Sequence, residues 1–281
     1  MPDKPAGRKA GETAPDTPRA GRKAGETAPD TPRDGEESPP QEEFINVDPL
    51  EDSYRGWVVQ DPERFQREPV EGCALLCIDM QYLDAAPGHG VFAEAVDSGV
   101  PEEAQQYYFH RLEQVVLPNV RRLQDHFRHL NQEVIHVRIQ SLTKDGRDRS
   151  PAHKRLQLLA APGSKEADFL EQIAPMGDEI IINKSASGVF SATNLAYVLN
   201  NLDIETLFIT GVYTDECVST TIRDASDLGY YVILVEDACA TVTEERHTFT
   251  VETLRNRYCR ILSTEEVVEE VGGSPQAAAA H

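Results

Sequence analysis

The stretch "TLFITGVYTDECV", residues 206–218, changes character at its midpoint. The run 206–211 is short, apolar and closed by a glycine. Thr214, Asp215 and Glu216 then turn the chain polar just before Cys217, where a helical pattern begins. A short apolar run leading through a polar turn into a helix is the repeating unit of a parallel α/β sheet.

Five further runs of the same kind lie on either side: "CALLCID" (73–79), "EVIHVRI" (133–139), "EIIIN" (179–183), "YYVILVE" (230–236) and "YCRILS" (258–263). They are apolar at successive positions rather than alternating, as strands covered on both faces are. The segments between them are long enough for crossover helices, which parallel strands require. Helical patterns run over 103–130, 191–201, 215–228 and 244–257. Asn119, Leu123, Phe127 and Leu130 give one face of the first, and Gly229 ends the third. The expected architecture is a three-layer α/β/α sandwich around a mainly parallel six-stranded sheet of Rossmann-like topology.

This domain is placed at residues 70–270. Before it, residues 6–19 ("AGRKAGETAPDTPR") recur unchanged at 20–33. So polar and proline-rich a tract buries too little apolar surface to offset the entropy of ordering it. Residues 1–43 are therefore expected to be a disordered tail, 44–69 an N-terminal extension and 271–281 a flexible C-terminus.

The chain of 281 residues carries a formal net charge of −21, which disfavours nucleic acid and anionic membrane as partners. It has no apolar run near the ~20 residues of a membrane helix and no hydrophobic leader, so a cytoplasmic location is expected. The five cysteines lack paired spacing, and neither a disulfide framework nor a zinc knuckle is suggested.

In an open parallel sheet the ligand crevice lies beyond the carboxyl ends of the strands. Asp79 closes the first run, Lys184 follows the third and Cys217 follows the fourth, so all three reach the same sheet edge. Singly, each has a bland reading: a turn residue, a solvated charge, a packing thiol. Together they supply a nucleophile, a proton-transfer group and a cation, which is what thiol-based acyl transfer needs. A helix N-terminus and a lysine both favour the thiolate, so the Cys217 pKa is expected to fall toward neutrality. Cys73, Cys77, Cys239 and Cys259 are read as packing residues.

Through "LLCIDMQ", "INKSASGVFSATNL" and "GVYTDECVSTTIRDASDLGYYVILVEDACAT", residues 70–270 resemble the isochorismatase-like cysteine hydrolases. The resemblance implies an Asp79–Lys184–Cys217 triad and a non-proline cis peptide bond between Val212 and Tyr213. It also implies an oxyanion hole built from the backbone N–H groups of Tyr213 and Cys217. Family members that cleave isochorismate lack the nucleophilic cysteine, so hydrolysis of a small linear amide or ureide is the expected activity. Biuret, triuret and N-carbamoyl compounds are the model substrates. Nicotinamidases of the family bind a metal through histidines after the second strand. Here Arg138, Gln140 and Ser141 stand at those places, with His136 and His153 out of ligand spacing, so neither a metal nor a cofactor is expected. A homodimer or homotetramer is expected on the same ground.

Substrate contacts are placed, by rough alignment, at Leu83, Arg138, Gln140, Phe190 and Glu216. Arg147 and Arg149 suit a carbonyl-rich substrate but stand equally well as partners for Asp145 and Asp148. The composition of 83–100, with Pro87, Gly88, Gly90 and Gly99, fits a loop that moves over the pocket. The rival readings are a catalytically idle metabolite-binding protein, a nicotinamidase-like amidase, an isochorismatase, and a redox-sensing thiol at Cys217.

Overall fold

The computed structural model describes residues 72–94 and 98–272. The tail, the extension and residues 273–281 lie outside them. Six strands form one sheet: β1 (Cys73–Ile78), β2 (Glu133–Ile139), β3 (Ile181–Lys184), β4 (Thr206–Val212), β5 (Tyr231–Ala240) and β6 (Arg260–Leu262). Their order is β3-β2-β1-β4-β5-β6, and every neighbouring pair is parallel.

The helices are α1 (Tyr82–Ala85), α2 (Glu102–Arg111), α3 (Leu117–His129), α4 (Pro151–Arg155), α5 (Val189–Ala192), α6 (Leu195–Asn201), α7 (Ser219–Asp227), α8 (Glu244–Leu254) and α9 (Thr264–Glu270). Strand side chains alternate between two cores. Cys73, Leu75, Cys77, Phe208 and Ile233 face Val116, Val120, Leu123, Phe127 and Val267. Ala74, Leu76, Ile78, Ile209 and Leu234 face Leu195, Leu199, Ile222, Ala225 and Val251 on the other side. Burial on both faces is why the central runs read as continuously apolar. Strand β3 departs from that reading. As an edge strand it leaves Ile181 and Asn183 exposed while Ile182 and Lys184 are buried.

The long helical pattern is realised from Glu102 to His129 with a π-helical turn, Leu112–Val116, between α2 and α3. There the Leu117 N–H reaches back five residues to Leu112 O. Pro118 follows and has no N–H to give, so the turn falls where the regular ladder is interrupted in any case. The buried face is carried by Val120 rather than Asn119, whose amide instead donates to Asp237 O at 2.9 Å. The segment expected at 191–201 is split into α5 and α6. Between them Thr193 is extended; its hydroxyl donates to Val189 O and accepts from the Leu195 N–H. The last two expected helices end earlier, α7 at Asp227 and α8 at Leu254, and Gly229 takes a φ of 94° just beyond α7.

The strand order places β1 between β2 and β4, the point at which the chain switches from one side of the sheet to the other. Loops leaving β1 and β4 diverge there and open a crevice. At the end of β4, Gly211 (φ 117°) is paired with Ile78, and a Cβ on it would stand 2.0 Å from Ile78 O. Only glycine allows the two backbones this approach, and it brings the ends of β1 and β4 together.

Candidate active site

Asp79 follows β1, Lys184 closes β3, and Cys217 sits in a π-helical turn, Thr214–Val218, that links β4 to α7. The backbone at Asp79 is left-handed (φ 53°), yet its N–H still donates to Val137 O at 2.9 Å. The peptide bond between Val212 and Tyr213 is cis. Lys184 Nζ lies 2.9 Å from Asp79 Oδ2, donates to Cys217 Sγ at 3.3 Å and donates to Ala186 O at 3.0 Å. All three side chains of the cluster are buried.

Burial works against the Lys184 ammonium, but the charge of Asp79 outweighs it and the lysine pKa is raised. Burial raises the Asp79 carboxyl despite the opposing pull of Lys184. Cys217 corrects the sequence reading: burial first, then the Asp79 charge, push its thiol well above the ordinary range in spite of Lys184. The helix end and the lysine do not overcome desolvation and a neighbouring carboxylate. Burial and the Asp79 charge thus favour the protonated sulfur in the free protein, while Lys184 favours the charged form of both its neighbours. Lys184 Nζ stands 2.9 Å from Asp79 Oδ2, and the Cys217 thiol is within hydrogen-bonding reach of the same carboxyl, so Asp79 is placed to take the thiol proton.

Cys217 opens onto a cleft of about 660 Å³ whose walls include Val91, Val100, Ile139, Leu158, Tyr213 and Val242. Its polar lining includes Asp84, His153, Arg155, Ser187, Glu216, Thr241 and Arg246. Of the five sequence-expected substrate contacts Glu216 borders this cleft and the other four do not, while Tyr213, expected for the oxyanion hole, also borders it. Leu83 is buried with Ile139, Leu158 and Ala160. Arg138 donates to Asn183 Oδ1 at 2.7 Å and to Ala167 O at 2.8 Å, with its guanidinium 5.2 Å from the Phe169 ring centre. Gln140 continues β2, its N–H bonded to Lys184 O, and Phe190 stacks on Tyr230. Arg147 pairs with Asp145, and Arg149 is taken up by the carbonyls of Gly146 and Leu158. In the segment 83–100, Val91, Ser98 and Val100 reach the cleft, while residues 95–97 lie outside the described ones.

The groups the sequence reading passed over come from loops and short helices with no periodic signal. Asp84 lies in the single turn α1, His153 in the five-residue α4, and Arg246 in α8, where it pairs with Asp215 and lies 4.0 Å from Glu216. The turn that carries Cys217 is braced from behind. Thr214 Oγ1 is 2.9 Å from His247 Nδ1, and Arg111 Nη2 lies 3.2 Å from His247 Nε2. Since arginine only donates, Nε2 must accept and Nδ1 must carry the proton, which it gives to Thr214. Among the described residues no group of three or more His, Cys, Asp or Glu side chains is arranged to hold a metal ion.

A family model, the isochorismatase domain, matches residues 73–266. The chain belongs to the isochorismatase family. This isochorismatase-family hydrolase is 30% identical over 159 residues to the isochorismatase family protein YwoC of Bacillus subtilis, an alignment covering 56% of this chain and 83% of the relative. With the maleamate amidohydrolase of Pseudomonas putida it shares 25% identity over 209 residues, 74% of this chain and 88% of that one. The solved cysteine hydrolase of Pseudomonas syringae pv. phaseolicola superposes with a TM-score of 0.60 at 23% identity. That match covers 72% of this chain and 94% of the other and is a likeness of fold. No helix among the described residues is long and apolar enough to cross a membrane.

Proposed function

We propose that this family member is a cysteine-dependent amidohydrolase that cleaves a C–N bond of a small linear amide or ureide and releases ammonia. The observation that carries the reading is the position of Lys184 Nζ, 2.9 Å from Asp79 Oδ2 and 3.3 Å from Cys217 Sγ, with Cys217 itself lining a cleft. A maleamate amidohydrolase among the relatives supports the reaction class.

The chemistry starts from the protonated thiol. As Sγ attacks the substrate carbonyl, Asp79 takes the thiol proton, so the thiolate exists only while its charge is passing into the new C–S bond. The backbone N–H groups of Tyr213 and Cys217 receive the oxyanion. Asp79 then gives its proton to the departing nitrogen and a thioester remains. In the second half Asp79 deprotonates a water molecule, which attacks the thioester. The acid product leaves and the thiol is restored. Lys184 keeps its charge throughout and steadies first the Asp79 carboxylate and then the developing negative charge on sulfur.

The test is ammonia release from biuret, triuret, N-carbamoyl amino acids, ureidoacrylate and nicotinamide, with chelator present. Loss of a nucleophile or its base typically costs 10³-fold or more, so Cys217→Ala and Asp79→Asn should each fall at least about 10³-fold below wild type. Retention of most activity in either folded variant overturns the mechanism. Silence of the wild type on every compound overturns the substrate class.

A further inference from the structure

Asp84 is a buried carboxyl of this cleft that the mechanism does not use. It is 4% exposed, it lines the same cavity as Cys217, and its Oδ2 has no hydrogen-bond partner in the protein. A buried polar atom left without a partner is costly, and a fold does not carry that cost at a wall of its reaction cleft without return.

Its placement is held from several sides. Tyr108 and Tyr213 both donate their hydroxyl protons to the Asp84 carbonyl, at 2.8 and 3.1 Å. The Asp84 N–H donates to Gln81 O, and Gln81 is itself fixed by Ile139 and Glu166. Gly90, with φ 53°, packs so closely on Leu83 that a Cβ there would meet Leu83 O at 2.0 Å. The backbone under Asp84 is thus rigid while its carboxyl is unspent. Tyr213 also belongs to the cis peptide that precedes the nucleophile turn, so one side chain ties Asp84 to the reacting end of the cleft.

The charges around the carboxyl bear on which ligand group can sit against it. The cation nearest the sulfur, Lys184, is engaged by Asp79, and Arg246 is engaged by Asp215 and Glu216. Burial, and then Asp79, hold the Asp84 carboxyl well above the usual range, with Glu216 adding to the effect and Lys184 opposing it. Arg155 is the cleft's other cation and can take a ligand carboxylate; at Oδ2 itself a carboxylate would meet the neighbouring Asp79 and Glu216 instead. A neutral group bearing N–H donors supplies what Oδ2 lacks.

We propose that Asp84 is a specificity-determining residue that accepts a hydrogen bond from an N–H at the end of the substrate remote from the scissile carbonyl. The favoured substrate then carries an amide or ureide NH₂ at both ends. The proposal rests on the amidohydrolase reading for its substrate class, but it concerns recognition and is tested separately from turnover.

The probes are biuret and acetylurea, which differ by an NH₂ in place of a methyl group. Binding of each is measured by calorimetry to full-length Cys217→Ala protein, with and without Asp84→Ala. The expected result is that biuret binds at least ten-fold more tightly than acetylurea, and that Asp84→Ala brings the ratio to about one. Asp84→Asn, which keeps an acceptor oxygen, should retain a preference for biuret. In the active protein Asp84→Ala should raise KM for biuret about ten-fold with kcat within about two-fold. Thermal unfolding of Asp84→Ala should match or exceed wild type, since the change removes an unpartnered buried acid. Equal binding of the two probes, no binding of biuret, or a ratio that ignores Asp84 overturns the proposal. An Asp84-dependent ratio together with ammonia release that survives Cys217→Ala sinks the mechanism above and leaves this assignment standing.

Discussion

Lys184 and Asp79 form an ion pair at 2.9 Å in which neither side chain has contact with solvent. Removing one partner of such a pair strands the other charge, at a cost of about 3–5 kcal/mol. Lys184→Met is expected to lose stability on that scale in urea unfolding. Lys184→Met combined with Asp79→Leu should recover a large part of it. A single variant as stable as wild type would show that the pair is not ionised.

Because burial holds the Cys217 thiol well above its ordinary pKa, the free protein should not behave as a preformed thiolate. Iodoacetamide alkylation of Cys217, followed by mass spectrometry, should rise with pH beyond pH 8.5 without levelling near neutrality. A plateau below pH 7 would restore the low-pKa thiolate expected from the helix end.

His247 gives a pH dependence of stability with a definite sign. Burial, with the neighbouring Arg111, lowers its pKa to about 4 in the folded protein, against about 6.5 in an unfolded chain. The unfolded state therefore binds a proton first on acidification. The stabilising effect of a neutral His247 is complete above pH 6.5 and is lost as pH falls from there toward 4. The difference in unfolding free energy between wild type and His247→Gln should shrink across that window and be constant above it. A difference that grows on acidification would contradict the neutral, Thr214-bound imidazole.

Gly211→Ala places a methyl group against Ile78 O and forces a left-handed φ on a residue with a Cβ. Strain of this kind costs about 1–3 kcal/mol per site before any clash is counted. The variant should unfold at lower temperature and lose activity together. Full stability with full activity would mean that the ends of β1 and β4 tolerate separation.

The sheet and the meeting of Asp79, Lys184 and Cys217 were legible because their signals are local. Six apolar runs have strand length, and Asp79, Lys184 and Cys217 each stand at or just beyond the end of one, so a parallel sheet alone brings them to one edge. The rest of the cleft was not legible because it depends on packing. Arg138 and Phe190 lie close in sequence to strand ends, yet one is spent on Asn183 and Ala167 and the other on Tyr230. Asp84, His153 and Arg246 reach the cleft from short or unrelated segments, and no spacing rule connects them. The state of the Cys217 proton was misread for a related reason. Helix end and lysine are visible in a sequence, whereas the depth at which the sulfur is buried is a property of the folded chain.

The pairing of β1 with β4 joins Cys73 to Thr206 and Ile78 to Gly211, across nearly half the chain. Asp79 and Lys184 come before that junction in sequence and Cys217 after it. A chain divided in the turn before β4, near Asp203, would give two pieces, neither of which holds a complete set of reacting groups. Hydrolysis on mixing the pieces would then appear only as the two central strands zip together, which makes the reaction itself a clock for the slowest long-range contact in the fold.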